Sequence, residues 1–160
     1  MMAPLIELLD SYDYNTLMTV AEFNGIATMG SDGRRLRKAI LIRVMRDELF
    51  DRDRTNLALS KLRPLDRSVL NRLLLCQGHV PTNWFRELLV RESILQPTTR
   101  ELHHRKWPKD GPPRFDGSEF DDVIANLTLH GLVFSIQQHR TWLTTAKTRF
   151  RPRSHLTIPQ

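Results

Sequence analysis

The sequence predicts a mainly α (α+β) chain, in which an N-terminal helical unit precedes a second helical unit closed by a small β-hairpin. Three observations predict it. Apolar residues recur at helical spacing through the first 62 residues, and again over Leu65–Cys76, Trp84–Leu89 and Glu119–Leu129. Arg63-Pro64 interrupts the pattern, because a residue before proline avoids helical angles. After Gly131 come two β-rich runs, Leu132–Ile136 and Thr141–Thr145, joined by Gln137-Gln138-His139-Arg140.

Each element has a local reason. Leu5, Leu8 and Leu9 follow helical spacing in a short opening segment. Asn15 or Thr16 is the expected cap of a second helix, with Leu17, Val20 and Ala21 on one side and Gly25 as its stop. Thr28-Met29-Gly30-Ser31-Asp32-Gly33 reads as a loop, and Asp32 precedes a longer helix over roughly residues 34–50. Its centre, Ala39–Met45, is apolar nearly all round, so packing on more than one side is expected. A short helix after Thr55 carries Leu57, Leu59 and Leu62.

The second unit is expected over residues 63–150. Pro64 suits the first turn of its first helix. Leu65, Val69, Leu73 and Cys76 form its stripe, and Gly78 ends it. Thr82 reads as the N-cap of a helix that buries Phe85, Leu88 and Leu89. Residues 94–116 lose all periodicity and hold four prolines, which marks a long inserted loop. Phe120, Val123, Ile124 and Leu127 then mark a third helix. Residues 151–160 read as a basic tail or linker.

Charge is unevenly distributed. The 160 residues carry a net charge of +6, and all 18 acidic residues lie at or before Asp122. From Val123 onward there are five basic residues (Arg140, Lys147, Arg149, Arg151, Arg153) and no acidic one, which leaves 19 basic against 18 acidic before that point. Such a one-sided field attracts polyanions; it also suits a tail that keeps the chain soluble. No apolar run approaches the roughly 18 residues of a membrane span, and no secretory signal is visible at Met1-Met2-Ala3-Pro4. A lone Cys76 excludes an internal disulfide. These features predict an intracellular protein, cytoplasmic or associated with the nucleoid or nucleus.

The order helix, helix, helix, hairpin resembles the winged-helix superfamily over residues 64–146, and the resemblance implies a short strand at His79-Val80. The run from Phe120 through Leu129-His130-Gly131 to Phe134 looks like the third helix of that fold entering its first wing strand. The insert between the second and third helices departs from the pattern, where members usually have a tight turn. Asn24-Gly25-Ile26 and Lys38–Arg43 are weakly similar to the SAP helix–loop–helix module. That resemblance implies DNA contact through the loop and the start of the second helix, where Gly33-Arg34-Arg35-Leu36-Arg37-Lys38 falls.

Both likenesses direct attention to nucleic acid, and the residues say how. Glu119, Asp121 and Asp122 open the third helix; they suit its dipole and repel phosphate, so base reading through that helix is not expected. Asn126 is the one side chain there able to reach adenine. The wing and tail serve better. His139 and Arg140 sit at the expected hairpin tip, and Lys147, Arg149, Arg151 and Arg153 alternate with uncharged residues, so an extended chain puts them on one side. Lys106 and Trp107, in the insert, can stack on an unpaired base; Trp107 can equally anchor its own loop. Arg34, Arg35 and Lys38 complete the candidate site.

Enzyme chemistry finds no motif. His103-His104 has no CxxC or HExxH partner, Gly30-Ser31-Asp32-Gly33 lacks the GK[ST] ending of a phosphate loop, and Cys76 lies on an apolar stripe. No metal, cofactor or catalytic residue is expected. The sequence reading is a non-catalytic module that binds nucleic acid backbone without sequence preference, DNA before RNA. The alternative is a protein-interaction module that dimerises or docks a partner through the third helix or wing.

Overall fold

The computed structural model describes residues 5–96, 119–136 and 155–159. Four helices come first: α1 (Leu5–Asp10), α2 (Tyr14–Phe23), α3 (Lys38–Leu49) and α4 (Arg52–Lys61). The second half runs α5 (Pro64–Leu75), β1 (His79–Pro81), α6 (Thr82–Arg91), α7 (Glu119–Leu129), β2 (Phe134–Ile136) and β3 (His155–Thr157). The fold is mainly α with a small three-stranded antiparallel sheet in the order β1-β3-β2. Val80 pairs with Leu156, and Leu156 with Ser135. No helix among the described residues is long and apolar enough to cross a membrane.

Most expected elements are present, with informative shifts. The cap of α2 is Asp13 rather than Asn15 or Thr16; its carboxylate accepts from the Thr16 amide at 2.8 Å. The helix expected over 34–50 starts only at Lys38, because Arg34 lies in a bend, Arg35 bridges Met29 and Arg37 is extended, so that residues 34–37 complete a turn with residues 28–30. Ile40 in that helix is exposed, so its packing is less than all-round. Asp51 caps α4, which begins at Arg52, four residues before the start expected after Thr55. Thr82 is the first residue of α6 instead of its cap, a position held by Pro81.

One correction changes the architecture. The segment read as a tail contains β3, and β3 is the central strand of the sheet. Three residues are too short for period-two alternation to register, and Pro159 beside them reads as a breaker. The strand expected at Thr141–Thr145 lies outside the described residues; the observed partner of β2 is His155–Thr157.

Two apolar cores lie on either side of β2. Val133 belongs to the core of the second half, with Val69, Leu73, Phe85, Leu89, Val123 and Leu156. Phe134 belongs to the core of the first half, with Leu9, Leu17, Leu41 and Met45. Successive strand residues face opposite ways, so two neighbours can serve two cores. Tyr12 stacks on Phe134 with ring centroids 5.6 Å apart, and its hydroxyl accepts from the Ser135 amide at 2.9 Å. Sheet edges present unpaired amides; here α1's flank covers that of β2. The Asn24 side chain donates to the Leu129 carbonyl at 2.6 Å, and Phe23 meets the His130 ring edge-on at 5.0 Å. Gly131 (φ +71) lets Leu49 approach so closely that a Cβ there would lie 2.9 Å from Leu49 Cδ2. The N-terminal helices are thereby docked on the end of α7 and on β2.

Candidate nucleic-acid interface

The basic surface begins where α2 ends. Asn24 closes the helix and the Ile26 amide returns to the Ala21 carbonyl at 2.9 Å. The chain then forms a tight loop. The Leu36 amide donates to the Thr28 carbonyl and the Gly30 amide to the Arg34 carbonyl, both at 2.8 Å, with a bridge between Met29 and Arg35. Asp32 accepts from the Arg34 amide at 3.0 Å, a local side-chain bond typical of turns. Tyr14 donates its hydroxyl proton to the Leu36 carbonyl at 2.8 Å and ties the loop to α2.

This geometry presents Arg34, Arg35 and Arg37 to solvent. Alternation along the extended segment puts Arg35 and Arg37 on a common side. Among the described residues, no carboxylate forms an ion pair with any of the three. Arg37 is also the N-cap residue of α3, makes no side-chain capping bond, and is followed by a first turn without acidic residues. The helix dipole therefore adds positive potential where the arginines already stand. Lys38 differs from the expectation: its ammonium donates to the Asp10 carbonyl at 2.8 Å and lies 3.5 Å from the Asp10 carboxylate. It fastens the loop to α1 and keeps only part of its charge for a ligand.

The start of α7 is built in the opposite sense. Glu119 accepts from the Gln96 amide at 3.0 Å. Asp121 pairs with Arg86 at 3.3 Å, and that guanidinium lies 5.0 Å over the Phe120 ring. Asn126, the one candidate base reader, donates instead to Asp66 at 2.7 Å. Asp66 is fully buried. It also accepts twice from the Arg63 guanidinium at 2.8 Å and once from the Arg63 amide at 3.2 Å. Burial alone pushes the Asp66 carboxyl up, but the bonds from Arg63 and Asn126 outweigh it and hold the group below the usual carboxylate range. The Asn126 amide thus serves the start of α5 and is not free to meet a base edge.

Of the candidate residues, Arg34, Arg35 and Lys38 come together at one loop and helix start. Lys106, Trp107, His139, Arg140, Lys147, Arg149, Arg151 and Arg153 lie outside the described residues. Their place in the chain is nevertheless informative. Ile136 pairs with His155, so Arg140, Lys147, Arg149, Arg151 and Arg153 all belong to the connection between two paired strands. The expected basic tail is a strand-to-strand connection. Arg37 was missing from the candidate set because residues 34–37 read as helix; the alternation that groups it with Arg35 was visible in Arg-Leu-Arg. Among the described residues, no group of three or more His, Cys, Asp or Glu side chains could hold a metal ion. Comparison with protein-family models, with curated proteins and with solved structures finds no match.

Proposed function

We propose that the chain is a non-catalytic, winged-helix-like module that grips nucleic acid, DNA before RNA, through its backbone. The reading rests on one observation: five cations and no carboxylate occupy the connection between paired strands β2 and β3. The order α5-β1-α6-α7-β2-β3 and the sheet order β1-β3-β2 support the comparison with a wing. The loop bearing Arg34, Arg35 and Arg37 supplies a second contact in the manner of a SAP module. The internal commitments of α7 favour phosphate contact over base reading, hence binding without sequence preference. The alternative, a partner docked on the acidic start of α7, draws less support, since Arg86 and the Gln96 amide already occupy Asp121 and Glu119.

Fluorescence anisotropy with a random-sequence duplex tests this directly. Four or five phosphate contacts predict a log–log salt dependence of slope about 4. Absence of binding at low salt would defeat the proposal, and a strong preference for one duplex sequence would overturn its sequence-independent form.

A further inference from the structure

The sheet has a second edge, and nothing in the nucleic-acid reading uses it. Among the described residues, β1 pairs with β3 on one side only. The Gly78 carbonyl accepts from the Ile158 amide at 2.8 Å, so Gly78 faces β3. Antiparallel alternation turns Val80 the same way and turns the N–H and C=O of His79 outward. Pro81 contributes a carbonyl and no donor. The free edge therefore offers one complete donor–acceptor residue, His79. Any strand laid on this edge finds a donor at His79 and none at Pro81, so the pairing is short and centred on His79. A twofold copy of the same strand, paired antiparallel about His79, satisfies both groups reciprocally with two hydrogen bonds.

The surface around this edge fits the same partner. Leu74, Leu75 and Trp84 are 53%, 75% and 49% exposed, and Leu75 and Trp84 line one open groove with Cys76, Gln77 and Pro81. From Leu73 to Phe85 the chain contains no Lys, Arg, Asp or Glu. A chain of net charge +6 repels its own copies over most approaches. A charge-free apolar patch with a rim of Asn and Gln is where two copies meet without that penalty and without burying an unpaired charge.

We propose that the chain self-associates through β1, two copies pairing antiparallel about His79 with Leu75 and Trp84 packed across the twofold axis. The product is a continuous six-stranded sheet, β2-β3-β1-β1-β3-β2. One pair of strand hydrogen bonds and two apolar side chains from each copy make a modest contact beside the ~800 Å² per partner of a standard stable interface, so a weak, concentration-dependent dimer is expected.

Sedimentation equilibrium of the full chain, without nucleic acid, tests it. Mass is expected to rise from the monomer value of 18.7 kDa toward twice that value as concentration increases from about 5 to about 500 µM. Leu75→Lys/Trp84→Lys, both at exposed positions, should remain monomeric with an unchanged circular dichroism melt. His79→Pro, which removes the outward donor, should weaken association at least about tenfold. A wild-type chain that stays monomeric throughout overturns the proposal, as does a dimer that survives the double lysine substitution. A dimer lost in the lysine variant but unchanged in His79→Pro overturns the strand pairing. Association that weakens as salt rises would mean a charged interface, and would overturn the choice of this patch.

Discussion

Two helix starts in this molecule have the same backbone dipole and opposite surroundings. At α3 the first turn lacks acidic residues, and Arg34, Arg35 and Arg37 stand in solvent without ion pairs among the described residues. At α7 the first turn holds Glu119, Asp121 and Asp122, and two of these carboxylates are already bonded within the chain. The difference separates two uses of charge. A helix start that is neutralised internally contributes to folding. A helix start that gathers cations without ion pairs among the described residues keeps its positive potential on the surface, and that is the property the proposed phosphate contact would use. The helix whose sequence position most resembles a recognition helix is thus the structural one, and the less regular loop before α3 is the exposed one.

The sharpest way to break this comparison is a double dissociation. Asp66→Ala removes the carboxylate that joins Arg63 to Asn126. The loss of several hydrogen bonds to a charged, buried acceptor should cost about 3 kcal/mol of stability, measured by urea denaturation. At a concentration where the variant is folded, its affinity for duplex DNA should be unchanged. Arg34→Glu/Arg35→Glu/Arg37→Glu should do the reverse. Stability should move by no more than about 0.5 kcal/mol, as for other exposed sites. Affinity at low salt should fall roughly a hundredfold, and the salt slope should drop by about 2 to 3 as phosphate contacts are lost. A triple variant that binds like wild type would assign no contact to the α3 start. An Asp66→Ala protein that folds stably but binds poorly would return α7 to the interface.

How much of this could be read from the sequence depends on the length of the element. α5 and α7 follow i, i+3, i+4 stripes over ten residues or more and were legible with their glycine stops, while α6 was legible from Phe85, Leu88 and Leu89 without a stop signal. β1 was anticipated at His79-Val80 only through the winged-helix resemblance, which implies a short strand there. β3 was not, since its pairing partners are more than 18 residues distant in sequence or lie across two helices, and three residues carry no period. The start of α3 was misplaced for a different reason. Arg, Leu and Lys all favour helix in isolation, and the hydrogen bonds from Leu36 to Thr28 and from Gly30 to Arg34 override that propensity. The same error hid Arg37 from the candidate site. Asn126 could not be judged from sequence at all, because its partner Asp66 is 60 residues away.

A smaller effect sharpens the comparison at the loop itself. Gly33 has φ +73 and nothing within 4 Å of where a Cβ would stand. Gly33→Ala therefore meets no clash and is penalised only by the left-handed backbone, by about 1 kcal/mol. If the turn holds Arg34, Arg35 and Arg37 in a binding arrangement, Gly33→Ala should lower DNA affinity a few-fold while thermal stability falls by only a few degrees. Equal affinity in the variant would mean that the arginines act as a diffuse charge, without need of the turn.

The smallest expected effect distinguishes the two halves by pH. His79 stacks on His155 across β1 and β3, with ring centroids 5.4 Å apart. Burial, and secondarily a positive charge on His155, hold the His79 imidazole below its ordinary value. The unfolded chain, with an ordinary value near ~6.5, takes up this proton at higher pH than the folded chain does. Stability from this site is therefore complete above about pH 6.5 and declines as pH falls through the window down to the lowered folded value. Below that window both states are protonated and the loss is constant. His79→Gln should remove this component, so that the fall in melting temperature from pH 8 to pH 5 is smaller in the variant than in wild type at the same low protein concentration. Identical pH profiles would show that the stacked pair at the base of the sheet is energetically silent in this range, and that acid sensitivity, if any, arises elsewhere.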